Sequence, residues 1–386
     1  MRSRIIGIAS GTALLIGTVG AYSDTSAQAQ TVLHGRKTTS TSSTAYVVNY
    51  NEGKGTVTPI DTATNTADPV IRVGVEPYTI AVAPNGQTAY LASLAGTVTP
   101  IDTATNTKGQ VIRVGGQPSV IMVTPDSSTV YVLSDGAGEN SNVVRPIHTA
   151  TNKVGRPIPV GNDPIAGAFS PDGQTLYVVS EVAGTVTPIN TTTNKAAQPI
   201  TVGSQPNAIA ITPDGQTAFV TDYASKTVTP IDLTTNTAGS PINVGYLPTA
   251  IVITPDGQMA YVADESGTVT PIYVSTLSAG TPIQAGRGPS SMAVTPDGST
   301  VYVVDNSGNT ITPIDVATNT ADPAIKVGYH PDAIVLTTDG STAYVVNYQR
   351  YSHTTLGSVT PVDTATNTAD PAIAVGESPQ SIAITP

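Results

Sequence analysis

The sequence contains few of the residue types that usually catalyse reactions or bind metal ions. It has four histidines and no cysteine among 386 residues, which excludes thiol chemistry and a disulfide framework. His330, Asp332 and His353 follow one another late in the chain, and two imidazoles with one carboxylate could hold a metal ion. Their spacing matches no local metal-binding motif, so we predict neither a metal site nor a cofactor.

Carboxylates form a second candidate group, because they recur where a repeated apolar segment ends. If the repeated segments are arranged in a ring, as argued below, these carboxylates would surround the mouth of a central channel. They would form either a funnel that attracts cations or a solvated rim. The solvated rim is the interpretation that we favour. The carboxylates expected at the channel mouth are Asp135, Glu181, Asp222, Asp264 and Asp305.

A third group combines aromatic, basic and histidine side chains, which are typical of binding surfaces. Its centre is the least repetitive segment of the chain, residues 348–355. The alternative is a variable surface loop without a function. The residues predicted to contribute to binding are Tyr50, Glu52, Lys54, His330, Asp332, Tyr348, Arg350, Tyr351, His353 and Glu377.

The elements that would position these residues are short β-strands. In the unit that begins at Ala250, four apolar runs are separated by turn residues. The first run alternates and ends at Pro255, Asp256 and Gly257, where Pro presets φ and Gly accepts a positive φ, as a tight hairpin requires. We name the four predicted strands A, B, C and D.

This unit recurs along the chain with a period of about 42 residues. Four short strands at this period are typical of a propeller blade, and no helical periodicity is present. An open β-solenoid is the competing architecture. The aromatic residue of strand B recurs at Tyr46, Tyr90, Tyr131, Tyr177, Phe219, Tyr261, Tyr302 and Tyr344.

The two ends of the chain decide the number of blades. Seven complete sets of four strands leave strands B, C and D at the N-terminus and a lone strand A at the C-terminus. Joined in one sheet, these strands make an eighth blade and remove the exposed edges. We therefore predict an all-β propeller of eight four-stranded blades, closed by a 3+1 pairing of strands, with seven blades as the next choice.

A proline recurs in every strand C and affects the outer edge of each blade. Proline lacks the N–H that one side of the strand ladder needs. We infer that this side faces strand D, where the pairing ends or is bulged, so strand D should be short. The prolines are Pro59, Pro100, Pro146, Pro188, Pro230, Pro271, Pro313 and Pro361.

The connections between strands sort onto two ends of the ring, because consecutive strands alternate in direction. The A–B and C–D turns share one end and hardly vary between units, and their Asp side chains are expected to bond to the turn backbone. The D–A and B–C connections share the other end, where the units differ. Variable loops mark the surface that can be specialised, so we predict a binding face at this end.

The first residues indicate an export signal. Arg2 and Arg4 precede an apolar run, and residues 27–29 fit an A-x-A cleavage site. We predict a signal peptide over 1–29, a flexible Thr/Ser-rich leader over 30–43 and a single propeller domain over 44–386. The mature protein would then be secreted or attached to the cell surface, with no membrane span.

The charge of the chain bears on its partners. Its net charge is −11, and an acidic surface repels phosphate backbones, which makes nucleic acid an unfavourable partner. We expect a monomer whose partner is a protein, a glycan or a component of the cell envelope.

Several motifs resemble the YVTN-family β-propeller repeat. They include Tyr-Val-Val-Asn at 46–49 and 344–347, Tyr-Val-Ala-Asp at 261–264, and Ile-Asp-Thr-Ala-Thr-Asn at 60–65 and 101–106. The resemblance covers about residues 44–386 and implies a propeller, often exported and surface-associated, usually without an assigned chemical activity. Related propellers include lactonase-like hydrolases. The Thr-Pro pair in strand C departs from the family pattern, which bears on the edge pairing.

Two functions are weighed against each other, and a third possibility is a structural array element without a distinguished patch. We favour a non-enzymatic, exported propeller that binds through its D–A and B–C end, since no Ser-His-acid arrangement and no glycine-rich phosphate loop is present. The alternative is a lactonase-like hydrolase with a metal or carboxylate site in the channel. An enzyme would bring at least three ionisable side chains to one point of the channel, whereas a scaffold would place its aromatic residues on the outer end.

Overall fold

The computed structural model of the protein describes residues 43–50, 55–135, 142–348 and 356–386. These residues form eight antiparallel sheets, and the innermost strands of successive sheets contact one another around a closed ring. The prediction of an all-β propeller with eight blades is thus confirmed. None of the described residues is helical, so none forms a helix long and apolar enough to span a membrane.

Strand A is the innermost strand of each blade. A register shift follows its first proline in the pairing with strand B, for example between Pro206 and Ala208, and such bulges tolerate the missing N–H. We number the blades from 1 to 8 in the order of their strands A. These strands are Pro77–Val82, Gln117–Val123, Pro164–Phe169, Pro206–Ile211, Pro248–Ile253, Pro289–Val294, Pro331–Leu336 and Pro379–Ile384.

Strand B is almost fully buried, because both of its faces are covered by neighbouring blades, and it therefore reads as a continuous run of Val, Ala and Tyr. The strands B of blades 1 to 8 are Thr88–Ser93, Thr129–Asp135, Thr175–Ser180, Thr217–Asp222, Met259–Asp264, Thr300–Asp305, Thr342–Asn347 and Thr44–Asn49.

Strand C carries the recurring proline opposite the aromatic residue of strand B, as Pro230 lies opposite Phe219. The strands C of blades 1 to 8 are Thr97–Asp102, Val143–His148, Thr185–Asn190, Thr227–Asp232, Thr268–Tyr273, Thr310–Asp315, Leu356–Asp363 and Gly55–Asp61.

Strand D is split into two short pieces that pair with opposite ends of strand C. The carbonyl of Pro230 still accepts a hydrogen bond from the Gly239 N–H at 2.7 Å, so the ring nitrogen of the proline faces strand D and interrupts the pairing there. The predicted weak outer edge is confirmed. The first pieces are Thr107–Lys108, Lys153–Val154, Lys195–Ala196, Thr237–Ala238, Ser278–Ala279, Thr320–Ala321, Thr368–Ala369 and Thr66–Ala67. The second pieces are Ile112–Arg113, Ile158–Pro159, Ile200–Thr201, Ile242–Asn243, Ile283–Gln284, Ile325–Lys326, Ile373–Glu377 and Ile71–Gly74.

Blade 8 closes the ring with strands from both ends of the chain. Its strands B, C and D come from residues 44–74, and its strand A is the C-terminal strand Pro379–Ile384. Ala45 lies opposite Ile384, and the Thr44 N–H donates to Oγ1 of Thr385 at 2.8 Å. The predicted 3+1 closure is confirmed, and it pairs the inner edge of strand B in blade 8.

The hydrophobic core is divided into layers that lie between adjacent blades. One layer joins Tyr46 and Val57 of blade 8 to Ile80 and Leu91 of blade 1. Most members are Val, Ile and Ala, whose β-branched or small side chains fill the narrow space between two sheets. The ring therefore holds together by burying each blade against its two neighbours.

The strand B tyrosine adds a polar link across this layer. The Tyr46 hydroxyl donates to Oδ1 of Asn106 in the C–D turn of blade 1 at 2.6 Å, and Asn106 adopts a left-handed φ of 53°, which asparagine tolerates better than most residues. We call this contact the tyrosine latch. Six such latches join Tyr46, Tyr131, Tyr177, Tyr261, Tyr302 and Tyr344 to the asparagine of the next blade.

Candidate functional site

The antiparallel blades place their connections at two ends of the ring, as predicted. We call the end with the D–A and B–C connections the loop face. Its described residues are 50, 75–76, 94–96, 114–116, 142, 160–163, 181–184, 202–205, 223–226, 244–247, 265–267, 285–288, 306–309, 327–330, 348 and 378. We call the opposite end, which carries the A–B and C–D turns, the turn end.

The aspartates of the turn end have a local structural role. Oδ1 of Asp102 accepts hydrogen bonds from the N–H and the hydroxyl of Thr105 at 2.9 and 2.7 Å. The hydrogen bond from this hydroxyl, followed by that from the N–H, lowers the pKa of Asp102. These carboxylates thus complete their own turns, which is the role that the sequence indicated.

A backbone contact fixes the two connections of the loop face to each other. A Val-Gly motif recurs at the start of the D–A connections, for example at 202–203, 244–245 and 327–328. The second residue after its Gly adopts a left-handed conformation, for example Leu247 with φ 56° and His330 with φ 55°. Its carbonyl accepts a hydrogen bond from the residue that follows strand B, as the Tyr348 N–H donates to the His330 carbonyl at 3.0 Å. The D–A and B–C connections therefore form a hydrogen-bonded backbone frame, and this contact accounts for the left-handed residues of the D–A connections.

Around His330, the structure brings together two of the predicted binding residues. Nδ1 of His330 lies 2.8 Å from Nδ2 of Asn306, which also donates to the Pro331 carbonyl at 3.1 Å. The imidazole centroid lies 6.2 Å from the Tyr348 ring and 6.1 Å from the Tyr329 ring. The Asn306 amide thus links the His330 ring to the backbone of strand A in blade 7.

Asp332 lies deeper, as the second residue of strand A in blade 7. Its Oδ1 is buried and has no hydrogen-bond partner among the described residues, and burial raises its pKa to about 6. At the same position of other blades, Asn207 and Thr249 donate to the Pro248 and Pro289 carbonyls of the next blade at 2.9 and 3.0 Å. An ionised carboxylate has no proton to donate, so Asp332 cannot make this contact.

The remaining predicted binding residues are only partly placed. The Tyr50 N–H donates to the Ser378 carbonyl at 3.0 Å, so Tyr50 lies beside the connection that directly follows Glu377. Tyr50 and Glu377 are both half-buried. Glu52, Lys54, Arg350, Tyr351 and His353 lie outside the described residues.

Three of the carboxylates expected at the channel mouth are buried inside their blades, which corrects the prediction of a solvated rim there. Asp222, Asp264 and Asp305 end strand B with exposed fractions of 0%, 0% and 4%. Strand B is the second strand from the channel, and the D–A connection that enters the blade covers its end, since Gly203, Gly245 and Gly286 lie directly against these three aspartates. Glu181 lies one residue further along the chain and is half-buried. For Asp135 the structure describes the strand B backbone only.

The surroundings of Asp222 show how a buried carboxylate is accommodated. Its Oδ2 accepts hydrogen bonds from the hydroxyls of Thr227 and Thr229 at 3.0 and 2.7 Å, and its Oδ1 accepts one from the Gly203 N–H at 2.9 Å. Burial raises its pKa, and these hydrogen bonds oppose the rise. A Cβ on Gly203 would lie 2.6 Å from Oδ2 of Asp222, so the Gly of the Val-Gly motif leaves room for the acid.

Sequence reasoning missed a cluster on blades 3 to 5 of the loop face. The Tyr223 hydroxyl donates to Oε1 of Glu265 at 2.7 Å, and Nζ of Lys226 lies 4.6 Å from the centroid of the Tyr246 ring. Tyr246 is 52% exposed. The available signal was the residue directly after the Gly of the Val-Gly motif, which is Tyr in blades 5 and 7.

The cluster is also connected electrostatically. The pKa of Tyr223 is raised to about 12. Burial is the largest cause, followed by the hydrogen bond to Glu265 and then by the charges of Glu265, Tyr246 and Glu181. Within the part of the chain that the structure describes, no three His, Asp or Glu side chains lie close enough to hold a metal ion.

Comparisons with known proteins place the chain in a family. A family profile described as "Lactonase, 7-bladed beta-propeller" matches residues 37–323, which contain seven of the eight strand C prolines. No curated protein matches the sequence. The likeness to YVTN proteins stays a resemblance of motifs.

Three solved structures share the fold at low identity. Hydrazine synthase of Kuenenia stuttgartiensis has a TM-score of 0.60 and 22% identity, over 75% of this chain and 96% of that chain. Dihydro-heme d1 dehydrogenase NirN in complex with DHE has a TM-score of 0.72 and 14% identity, over 88% of this chain and 74% of that chain. A functionally unknown protein from Desulfotomaculum acetoxidans DSM 771 has a TM-score of 0.59 and 19% identity, over 73% of this chain and 94% of that chain. These likenesses concern the propeller fold alone. The family match spans more than half of the sequence. The chain therefore belongs to the lactonase β-propeller family, and it forms a ring of eight blades.

Proposed function

We propose that the protein is an exported, non-enzymatic scaffold that binds a protein, a glycan or a component of the cell envelope through its loop face. The observation that carries this proposal is the distribution of tyrosine. Outside strand B, the structure describes seven tyrosines. Five lie on the loop face, namely Tyr50, Tyr223, Tyr246, Tyr329 and Tyr348, while Tyr78 lies in strand A and Tyr273 at the turn end.

Tyrosine is well suited to a binding surface. Its ring offers a large rigid contact area with a polar tip, at a low cost in conformational entropy. Tyr246 and Tyr329 expose 52% and 43% of their surfaces, although neither is needed for the core. The rigid backbone frame beneath them would keep the rings in place before a partner arrives, which lowers the entropic cost of binding.

A pair of matched variants tests the binding face. Tyr273 at the turn end is 43% exposed, the same fraction as Tyr329, so Tyr273→Ala removes an equivalent ring from the other end. Binding of the purified protein to a glycan array and to isolated cell envelopes would be measured for the wild type, for Tyr246→Ala with Tyr329→Ala, and for Tyr273→Ala. We expect the double variant to lose about tenfold or more in affinity and Tyr273→Ala to bind like the wild type. Equal binding by all three proteins would contradict the proposal.

Export is a separate part of the proposal and rests on the pattern of residues 1–29. N-terminal sequencing of the protein recovered from its producing cells tests it. A mature N-terminus at Gln30 is expected, whereas an intact Met1 on a protein that stays inside the cell would refute export.

The hydrolase alternative is supported by the lactonase family match and by Asp332 in the innermost strand. A buried carboxyl with a pKa of about 6 is suited to transfer protons near neutral pH. Hydrolysis of a panel of five- and six-membered lactones, followed by proton release, tests this alternative. Turnover that is abolished in Asp332→Asn would favour the hydrolase over the scaffold.

A further inference from the structure

The loop face carries a patch whose chemistry selects one class of partner. The aromatic–acid patch consists of Glu181, Tyr223, Tyr246 and Glu265. The Glu265 carboxylate accepts from the Tyr223 hydroxyl, the Glu265 N–H donates to the Tyr246 carbonyl, and Lys226 is the cation that lies on the Tyr246 ring. We infer that the aromatic–acid patch binds a lysine-rich segment of a protein partner, and that Lys226 occupies the position of a partner's lysine until binding occurs. This inference rests on the proposed use of the loop face for binding.

The geometry of the patch fits an ammonium group. An aromatic face attracts a cation that lies within about 6 Å of its centroid, and Nζ of Lys226 lies 4.6 Å from the Tyr246 centroid. Tyr246 is about half exposed, at 52%, so part of its ring remains accessible to a second side chain. The structure thus contains one example of the contact that a partner's lysine would make.

The carboxylates of the patch add charge complementarity. Glu265 is exposed and Glu181 is half-buried. The Glu265 N–H donates to the Tyr246 carbonyl at 3.1 Å, and both carboxylates contribute to the raised pKa of Tyr223. Because Tyr223 donates to Oε1 of Glu265, the carboxylate is oriented while its second oxygen can accept from an ammonium group. The net charge of −11 for the whole chain would also attract a cationic segment over a longer range.

Lys226 provides the decisive variant. If it competes with the partner for Tyr246, Lys226→Gln should free the ring and increase the affinity for a lysine-rich peptide by about threefold, the size of an exposed cation–π contact. Lys195 is an exposed lysine at the turn end of blade 3. Lys195→Gln changes the net charge by the same amount far from the patch, and it should leave the affinity almost unchanged.

The experiment uses the purified protein and a fluorescent peptide of alternating lysine and glycine, measured by fluorescence anisotropy at two ionic strengths. Peptides with glutamate or glutamine in place of lysine serve as controls. We expect only the lysine peptide to bind, with an affinity that falls with salt. Tyr246→Ala should lower the affinity about threefold, whereas Tyr246→Phe, which keeps the ring, should not.

Three results would overturn the inference. The first is that the wild-type protein does not bind the lysine peptide, and the second is that Tyr246→Ala binds it as well as the wild type. The third is that Lys226→Gln and Lys195→Gln increase the affinity equally, which would indicate a long-range charge effect. The double variant with Tyr246→Ala and Tyr329→Ala separates the two proposals. If any of these results occurs while the double variant still loses binding to glycans or envelopes, the inference of a lysine-rich partner is wrong, but the proposal that the loop face binds a partner is retained. If that variant also binds everything like the wild type, the proposed function fails as well.

Discussion

The hydroxyl of Tyr344 lies 2.6 Å from Oδ1 of Asn65, a residue 279 positions earlier in the chain. The contact joins blade 7 to blade 8 and repeats the tyrosine latch that links other neighbouring blades. Oδ1 of Asn65 is available because the C–D turn holds the residue at φ 54°. Turn geometry and blade-to-blade packing thus depend on the same asparagine.

The latch is missing between blades 4 and 5, where the corresponding residues are Phe219 and Leu277. Leu277 adopts a left-handed φ of 50°, which is unfavourable for leucine. Phe219→Tyr combined with Leu277→Asn should install the missing hydrogen bond and raise the free energy of unfolding by about 1 kcal/mol beyond the sum of the single variants. Denaturant unfolding of the four proteins in a double-mutant cycle measures this coupling. A coupling of zero would contradict the role assigned to the latch.

The Gly of the Val-Gly motif should not tolerate a side chain in those blades whose strand B ends in an aspartate. In Gly203→Ala, the new Cβ would contact Asp222, and we expect a loss of about 2 kcal/mol in unfolding free energy, as for other overpacked sites. Gly239→Ala is the control in the same blade, since its Cβ would lie 3.2 Å from Cγ of Pro230. Thermal unfolding of both variants tests the difference, and equal melting temperatures would show that the steric argument is wrong.

The end of strand B should accept asparagine but not leucine. Asn49 and Asn347 occupy this position in blades 8 and 7, and Nδ2 of Asn49 donates to Oγ1 of Thr58 at 2.9 Å. Asp222→Asn should therefore change the unfolding free energy by less than about 1 kcal/mol, because the Thr229 hydroxyl can accept where it now donates.

In contrast, Asp222→Leu should cost about 3 kcal/mol, since the Gly203 N–H would lose its acceptor and the larger apolar group does not fit the space. Chemical denaturation at neutral pH compares the two variants of Asp222. A leucine variant as stable as the asparagine variant would refute the polar role of this position.

Asp332 should make the stability depend on pH in a defined direction. Its pKa is raised in the folded state from the ordinary 3.8 to about 6, so the folded state binds the proton more tightly than the unfolded state. Stability from this group is therefore present below about pH 4, is lost as the pH rises to about 6, and stays absent above that.

Asp332→Asn should raise the melting temperature at pH 7.5 and have little effect at pH 3.5, because a neutral amide can donate to the next blade as Asn207 does. Calorimetric melting curves at both values of pH test this. A variant that is less stable than the wild type at pH 7.5 would contradict the raised pKa.

Much of the fold could be predicted because the residues that determine the turns and strands of each repeat lie close together in the sequence. Pro255, Asp256 and Gly257 encode a turn through their own φ preferences, and the strand C proline encodes a broken outer edge through its missing N–H. The site was harder to predict. Asp222, Asp264 and Asp305 look like solvent-facing acids in the sequence, since nothing in the order of residues shows that the D–A connection folds over the end of strand B.

Taken by itself, the sequence determined the strands, their order, the number of blades and the closure by strands from both ends of the chain, because these follow from periodicity and from turn residues close together in the chain. Only the tertiary structure decided which polar groups meet. Tyr344 with Asn65, and Tyr223 with Glu265, are pairs from different blades. The physical reason is that contacts across a ring depend on how sheets pack and twist against each other, and no local pattern of residues records that arrangement.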